Sequence, residues 1–495
     1  MNNKMNGNDG RLKMFLVAQI KKGFFCLPAI ILLSLITLSL IVIGSFASSE
    51  NYMLFKIIFV ALLIIIIFYL SLKSIHFLIY FYTGCAVING ISFLVDPHDL
   101  DNKMIFSNLY ILLGSVKIYI PDLILVVGLA VLILHLMLRN TNAIFNIYNS
   151  KNTLFLILFV LVGLITTLQS VGLYGKSAFG ESRVVWFSML FFISCACFRS
   201  MDDILQYFAF FIKVSFIKAM IDLSTILIRP EYLDYQKPFG SGTDAAYFAL
   251  SLLLILVLGK SSVNSRLLRR SMIFTFVLSI TLIASRSSIL ALALALIVYF
   301  ISQKRPALKN IIINGAGLFV IAMFLIYMVL KVPAVEAYLS ERFMPLLQDP
   351  ESDPTGSWRL IGWAQALISI REHPVTGIGF GSYSERFVAG QWLRLSLHSA
   401  YLDILYSMGL IGLIPFCLTL TNTIQQMYRR VIQQISDLNR KLCLCLLLIT
   451  VYMAFFVSLN AEMTGALSGT LMWIFLGMVP LLSNKDSYRL DKLST

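Results

Sequence analysis

The stretch RSSILALALALIVYF, residues 286–300, has one charge, at its first position, and is apolar from Ile289 to Phe300 apart from the Tyr299 hydroxyl. A helix at a soluble protein's surface keeps one polar face, whereas a helix that is oily all round is buried or lies in lipid. A second run, IIFVALLIIIIFYLSL at 57–72, has the same character, and such runs recur along the whole chain. Each approaches the roughly 20 apolar residues that span a bilayer.

Composition supports this reading. Of the 495 residues 58% are hydrophobic and 13% charged, and the mean hydropathy is +0.84; soluble proteins are about one-quarter charged. The expected fold is therefore an all-α integral membrane protein of about 12–14 transmembrane helices with one long external loop containing an amphipathic helix. The expected order is a cytoplasmic N-terminal tail (1–23), about eleven spans (24–331), the external loop (332–397), about three more spans (398–482) and a cytoplasmic tail (483–495). The N-terminal apolar stretch is too long for a cleaved signal segment, so it reads as a retained first span.

A net charge of +14 raises the question of nucleic acid, and its distribution answers it. With the N-terminus inside, most of the 39 Lys and Arg residues fall on the cytoplasmic side, including KSSVNSRLLRR at 260–270 and YRRVIQQISDLNRK at 428–441. That asymmetry records membrane orientation, so no nucleic-acid partner is expected. The seven cysteines all lie in or beside apolar runs, and no disulfide framework is expected. His76, His98, His135 and His373 lack paired metal-ligand spacing, so neither a metal nor a cofactor is expected.

Three ionisable residues at membrane depth or at its edge need a reason. His398 opens the run LHSAYLDILYSMGLIGLIPF at 397–416, with Gly409 eleven residues on and then Gly412. Eleven residues is close to three helical turns, which puts all three on one face, where the glycines admit a neighbouring helix. The imidazole is either a general base near neutral pH or an interfacial histidine bonded to a loop carbonyl. Arg286 is either a snorkelling arginine in a tight turn or an anion-binding guanidinium at the outer rim. Arg359 is either solvated surface charge or, near a helix start, a phosphate-holding fork.

Arg359 begins WRLIGWAQALISIREH, where Leu360, Trp363, Ala364, Leu367 and Ile370 recur at helical spacing. An amphipathic helix results, lying at the bilayer interface or packed on the loop's own core, and Pro374 with Gly377, Gly379 and Gly381 ends it. GIGFG is a poor dinucleotide motif, because no strand precedes it.

These residues together form a pattern. HSAYLDILYSMGLIG at 398–412, the preceding WRLIGWAQALISIREHPVTGIGFGSY at 358–383 and the Ser285–Arg286 pair resemble, in order, the motifs of the O-antigen ligase and polymerase family of bacterial membrane glycosyltransferases. KPFGSGTDAAYFALSLLLIL at 237–256 is similar to a further family stretch, with Asp244 and two alanines where an Asn-bearing segment is usual. The resemblance implies transfer of a glycan from a polyprenyl-pyrophosphate donor to an acceptor sugar hydroxyl, on the periplasmic side of the bacterial inner membrane and without a metal. It makes His398 the catalytic base and Arg286 and Arg359 the holders of the pyrophosphate. Arg183, at another external span mouth, is added as a speculative further contact. A chain-length regulator is a further implied partner.

Two activities fit the resemblance. A polymerase, the reading the chain length favours, extends O-antigen-type repeat units; a ligase passes finished glycan to lipid A-core. A rival from another class is a flippase for the same lipid-linked sugar, with Lys213, Lys218 and Asp222 marking its path.

Overall fold

The computed structural model describes residues 65–72, 74–88, 110–113, 116–138, 151–228, 241–302, 354–382, 385–388, 391–394, 397–433, 436–460 and 469–483. The expected spans at 24–46 and 310–331, both tails and much of the external loop lie outside these residues. The described chain is helical, with two short hairpins. It runs α1 (Ile75–Ile88), β1 (Tyr110–Leu113), β2 (Val116–Tyr119), α2 (Ile120–Leu138), α3 (Lys151–Tyr174), α4 (Lys176–Glu181), α5 (Arg183–Ser188), α6 (Leu190–Cys197) and α7 (Met201–Ile228). It continues with α8 (Gly242–Leu258), α9 (Arg266–Ile283), α10 (Arg286–Ser302), α11 (Pro354–Glu372), β3 (Glu385–Val388) and β4 (Gln391–Arg394). The last elements are α12 (Ala400–Gln433), α13 (Asp437–Phe456), α14 (Thr470–Leu476) and α15 (Val479–Ser483). Both hairpins are antiparallel, with Tyr110 opposite Tyr119 and Glu385 opposite Arg394.

The protein is an all-α, multi-pass membrane protein. Among the described residues six helical segments are long and apolar enough to cross a bilayer: α3, the segmented α4–α6, α7, α8, α12 and α13. α1, α2, α10 and the α14–α15 pair are apolar but shorter.

Side-chain pairs set the relative direction of the helices. Near the start of α3 the Asn152 amide donates to Thr423 Oγ1 (3.1 Å) late in α12, while mid-helix Phe159 packs on Phe416, their centroids 5.7 Å apart. The two helices therefore run antiparallel, and α3 ends beside the start of α12. α10 and α13 are also antiparallel: Ser288 and Tyr452 share a hydroxyl bond near one end, and Arg440 reaches the Ser302 carbonyl at the other. Phe159, Phe416 and Trp473 stack where α3, α12 and α14 meet.

α11 forms where the spacing predicts, with its buried stripe rotated. Gly362, Ala366 and Ile370 face inward with Trp363 beside them, whereas Ala364 and Leu367 of the expected stripe are exposed. Ala366 and Ile370 pack with Leu397, against Leu402, Leu405 and Tyr406 of α12. The partner of α11 is thus a transmembrane helix rather than the loop's own core. Small residues decide the phase, because Gly362 and Ala366 allow a closer approach than leucines do.

Candidate functional site

The site is built around a break in α12. Gly409 has φ 63° and ψ −164°, a conformation that interrupts the helix and that belongs almost wholly to glycine. The break removes two helical bonds, those from Leu410 and Ile411 back to Tyr406 and Ser407. All four freed groups find partners in the glycine loop after α11. Leu410 and Ile411 donate to the carbonyls of Pro374 (2.9 Å) and Val375 (3.2 Å), while Ile378 and Gly379 donate to the carbonyls of Tyr406 (2.8 Å) and Ser407 (3.0 Å). Such exact compensation is what a bilayer-embedded backbone requires, since lipid offers no hydrogen bonds.

This changes the expected role of the two helix-packing glycines. The shared helical face of His398, Gly409 and Gly412 assumed an unbroken helix, and the break resets the phase. Among the described residues the atoms nearest an added β-carbon at Gly409 are backbone atoms of Val375 and Gly377 in the loop, and beside Gly412 stands Met408 of its own helix. The far side of the loop is seated on α3 and α4. Phe380 N–H donates to Ser170 Oγ (2.8 Å) and Gly381 N–H to Glu181 Oε2 (2.7 Å). Ser170 and Glu181 were not singled out in the sequence, where nothing ties them to a loop some 200 residues on.

His398 is half-buried at the mouth of α12, two residues before the helix starts, with a left-handed φ of 50°. Burial, and then the positive charge of Arg359, hold its imidazole below the usual histidine pKa, so the neutral ring persists at neutral pH. The same coupling places Arg359, on the first turns of α11, within electrostatic reach of His398. Those two expected site residues lie near enough for the charge of one to act on the other.

Arg286 stands at the same end of the bundle. It opens α10 directly after Ser285, and Ala284 before that has φ 51° and closes α9. Ala284 and His398 are the two described non-glycine residues with positive φ, and each adjoins a candidate site position. A short relay joins the mouths of α10 and α12. Ser287 Oγ accepts from Asn460 Nδ2 (2.7 Å), which also donates to the Phe456 carbonyl (3.1 Å). The neighbouring Val457 carbonyl then accepts from Ala400 N–H (2.9 Å). Asn460 is a site-bridging residue the sequence reading missed; it looked like one polar residue ending an apolar run.

Arg183 lies at this end too, but its fork is occupied. Nε and a terminal nitrogen hold both carboxylate oxygens of Asp122 (3.2 and 3.1 Å), fastening α5 to the first turn of α2. Arg183 is thus engaged in a structural pair with Asp122.

The intramembrane charges of α7 neutralise one another. Lys218 Nζ binds Asp222 (2.6 Å) and Asp244 (3.6 Å), all three buried. Asp244 also completes the capping box of α8: its side chain accepts from the backbone N–H of the N-cap Ser241, whose side chain accepts from the Asp244 N–H. Lys213 is exposed on the other face of α7.

Residues 271–417 match the family model described as O-antigen ligase, a segment that contains Arg286, Arg359, His398, Gly409 and Gly412 and excludes Arg183. No curated protein matches the chain. This is a multi-pass membrane protein whose residues 271–417 are similar to the O-antigen ligase family.

Proposed function

We propose that the protein transfers a glycan from a polyprenyl-pyrophosphate donor to an acceptor sugar hydroxyl at the end of the bundle that carries His398. The observation carrying this reading is a half-buried imidazole at a span mouth, kept neutral by burial and by the Arg359 charge within electrostatic reach. His398 takes the proton of the acceptor hydroxyl as its oxygen attacks the anomeric carbon. The bond from that carbon to the pyrophosphate breaks, and the electron pair leaves with the lipid pyrophosphate. Arg359 and Arg286 stabilise the charge that develops there, a task guanidinium groups perform without a metal. Attack opposite the leaving group inverts the anomeric carbon.

Basic residues support placing this end on the periplasmic face of the inner membrane. Lys151, Arg266, Arg270, Arg430 and Lys441 lie at helix ends opposite to His398, and the positive-inside rule assigns those ends, and with them the chain termini, to the cytoplasm. The favoured product is a growing chain of O-antigen-type repeat units. The description of the matched family model, O-antigen ligase, favours a second reading, transfer of finished glycan to lipid A-core.

One reconstitution tests both readings. Purified protein in vesicles receives lipid-linked repeat units, with and without lipid A-core. A ladder of lengthening lipid-linked products is the polymerase outcome, and glycosylated lipid A-core is the ligase outcome. Neither product, or undiminished transfer by His398→Ala, overturns the proposal.

A further inference from the structure

His398 holds a strained backbone at the mouth of α12, and the residue just before it is gripped through both of its backbone polar groups. The Leu397 carbonyl accepts from the Trp363 indole Nε1–H at 2.7 Å. The Leu397 N–H donates to the Asp403 carboxylate, one turn into α12. The Leu397 side chain is itself buried against Ala366 and Ile370 of α11. A left-handed non-glycine residue persists only where its surroundings over-determine it, and these three attachments do so.

We propose that Asp403 and Trp363 are positioning residues that fix the His398 imidazole by clamping the Leu397 peptide. Neither side chain needs to touch substrate. Asp403 acts from α12 and Trp363 from α11, the helix that also bears Arg359. The clamp therefore sets the distance between the imidazole and the guanidinium as well as the ring's direction. A site group has to be held to within a fraction of an ångström, and that precision comes from its supporting contacts.

The geometry separates the hydrogen bond of Asp403 from its charge. One carboxylate oxygen takes the Leu397 N–H, while Oδ2, closed off from solvent, receives no hydrogen bond from any described residue. Glu181 lies within electrostatic reach of this carboxylate. An amide at position 403 keeps an acceptor for Leu397 and removes the charge that Glu181 opposes. Asp403→Asn therefore preserves the clamp, Asp403→Leu removes its acceptor at similar volume, and Trp363→Phe removes its donor while keeping an aromatic ring.

This inference rests on the proposed role of His398 for its kinetic effect but not for its structural one, and the experiment reads both. In reconstituted vesicles Asp403→Leu and Trp363→Phe are expected to lower kcat about tenfold or more with the donor KM little changed, while Asp403→Asn stays within about threefold of wild type. In parallel, diethyl pyrocarbonate labelling of His398, followed by peptide mass spectrometry, reports how the ring is presented. Its rate is expected to change about threefold or more in Asp403→Leu and Trp363→Phe, and to match wild type in Asp403→Asn.

Asp403→Asn falling as far as Asp403→Leu overturns the clamp in favour of a role for the charge. Wild-type kcat and labelling in both disruptive variants overturn it outright. If Asp403→Leu does not fold, Trp363→Phe against Asp403→Asn decides. Should His398→Ala retain full transfer, the base assignment fails while the labelling rates still decide the clamp.

Discussion

A β-carbon placed on either Gly377 or Gly409 would stand 2.6 Å from the backbone nitrogen of the other. The two glycines, one in the external loop and one inside a transmembrane helix, meet backbone to backbone with φ values of 69° and 63°. Each needs to be glycine twice over, for its conformation and for the space.

Gly409→Ala therefore combines a glycine-only conformation with overpacking against backbone, and its expected cost is about 2–4 kcal/mol. Gly412→Ala is expected to cost less, because Gly412 carries no left-handed φ, although its added β-carbon would still crowd Met408 Cβ. Gly172→Ala, with nothing within 4 Å of an added β-carbon in the last turn of α3, is expected to be neutral or to gain up to about 1 kcal/mol from helix propensity. Thermal unfolding of the three variants in one detergent checks this ranking.

Removing the Arg359 charge should move the pH profile of transfer. Its positive field lowers the His398 pKa, so Arg359→Gln raises it, and the acid limb of kcat/KM shifts to higher pH. Arg359→Lys keeps the charge and should leave the limb in place, even where loss of the bidentate fork slows the reaction. The limb's position is independent of the rate, so a measured profile separates the two effects of this residue. A limb that stays fixed in Arg359→Gln removes Arg359 from the neighbourhood of the base.

The sequence made much of this legible, and what it hid has a common physical cause. Apolar runs located the helices because hydropathy is a local property, and His398 stood out because an imidazole at a span mouth is costly. The break at Gly409 was hidden because its four replacement hydrogen bonds come from a loop some 30 residues upstream. An eleven-residue spacing looks the same along a straight helix and across a break. The α11 stripe was misphased because hydropathy ranks Leu367 above Ala366, while close packing prefers the smaller side chain. Arg183 looked available because Asp122 lies 61 positions away. Long-range pairing is the information one sequence does not display.

Arg183 and Asp122 should behave as a unit in stability. The pair is mostly shielded, with side-chain exposures of 17% and 24%, and bidentate, so a coupling of about 1–2 kcal/mol is expected, above that of a solvated surface pair. A double-mutant cycle with Arg183→Ala and Asp122→Ala measures it. Each single change should lower the thermal transition by a similar amount, and the double change by less than their sum. A large loss of transfer in Arg183→Ala without loss in Asp122→Ala would instead restore Arg183 as a substrate contact.

Lys218 faces two carboxylates inside the bilayer-spanning part of the bundle, and deleting it should be more damaging than deleting a partner with it. Lys218→Met leaves Asp222 and Asp244 buried without their shared cation, a loss of about 3–5 kcal/mol by analogy with other broken buried pairs. Lys218→Met with Asp222→Asn removes one of those charges, and Asp244 keeps its Ser241 cap, so much of the stability should return. That ordering, double variant above single, is the signature of a structural ion cluster tying α7 to α8. A translocation path makes a different forecast: the double variant folds as well as wild type but loses activity, because the charges serve the passenger rather than the fold. Thermal unfolding and transfer, measured on the same preparations, distinguish the two.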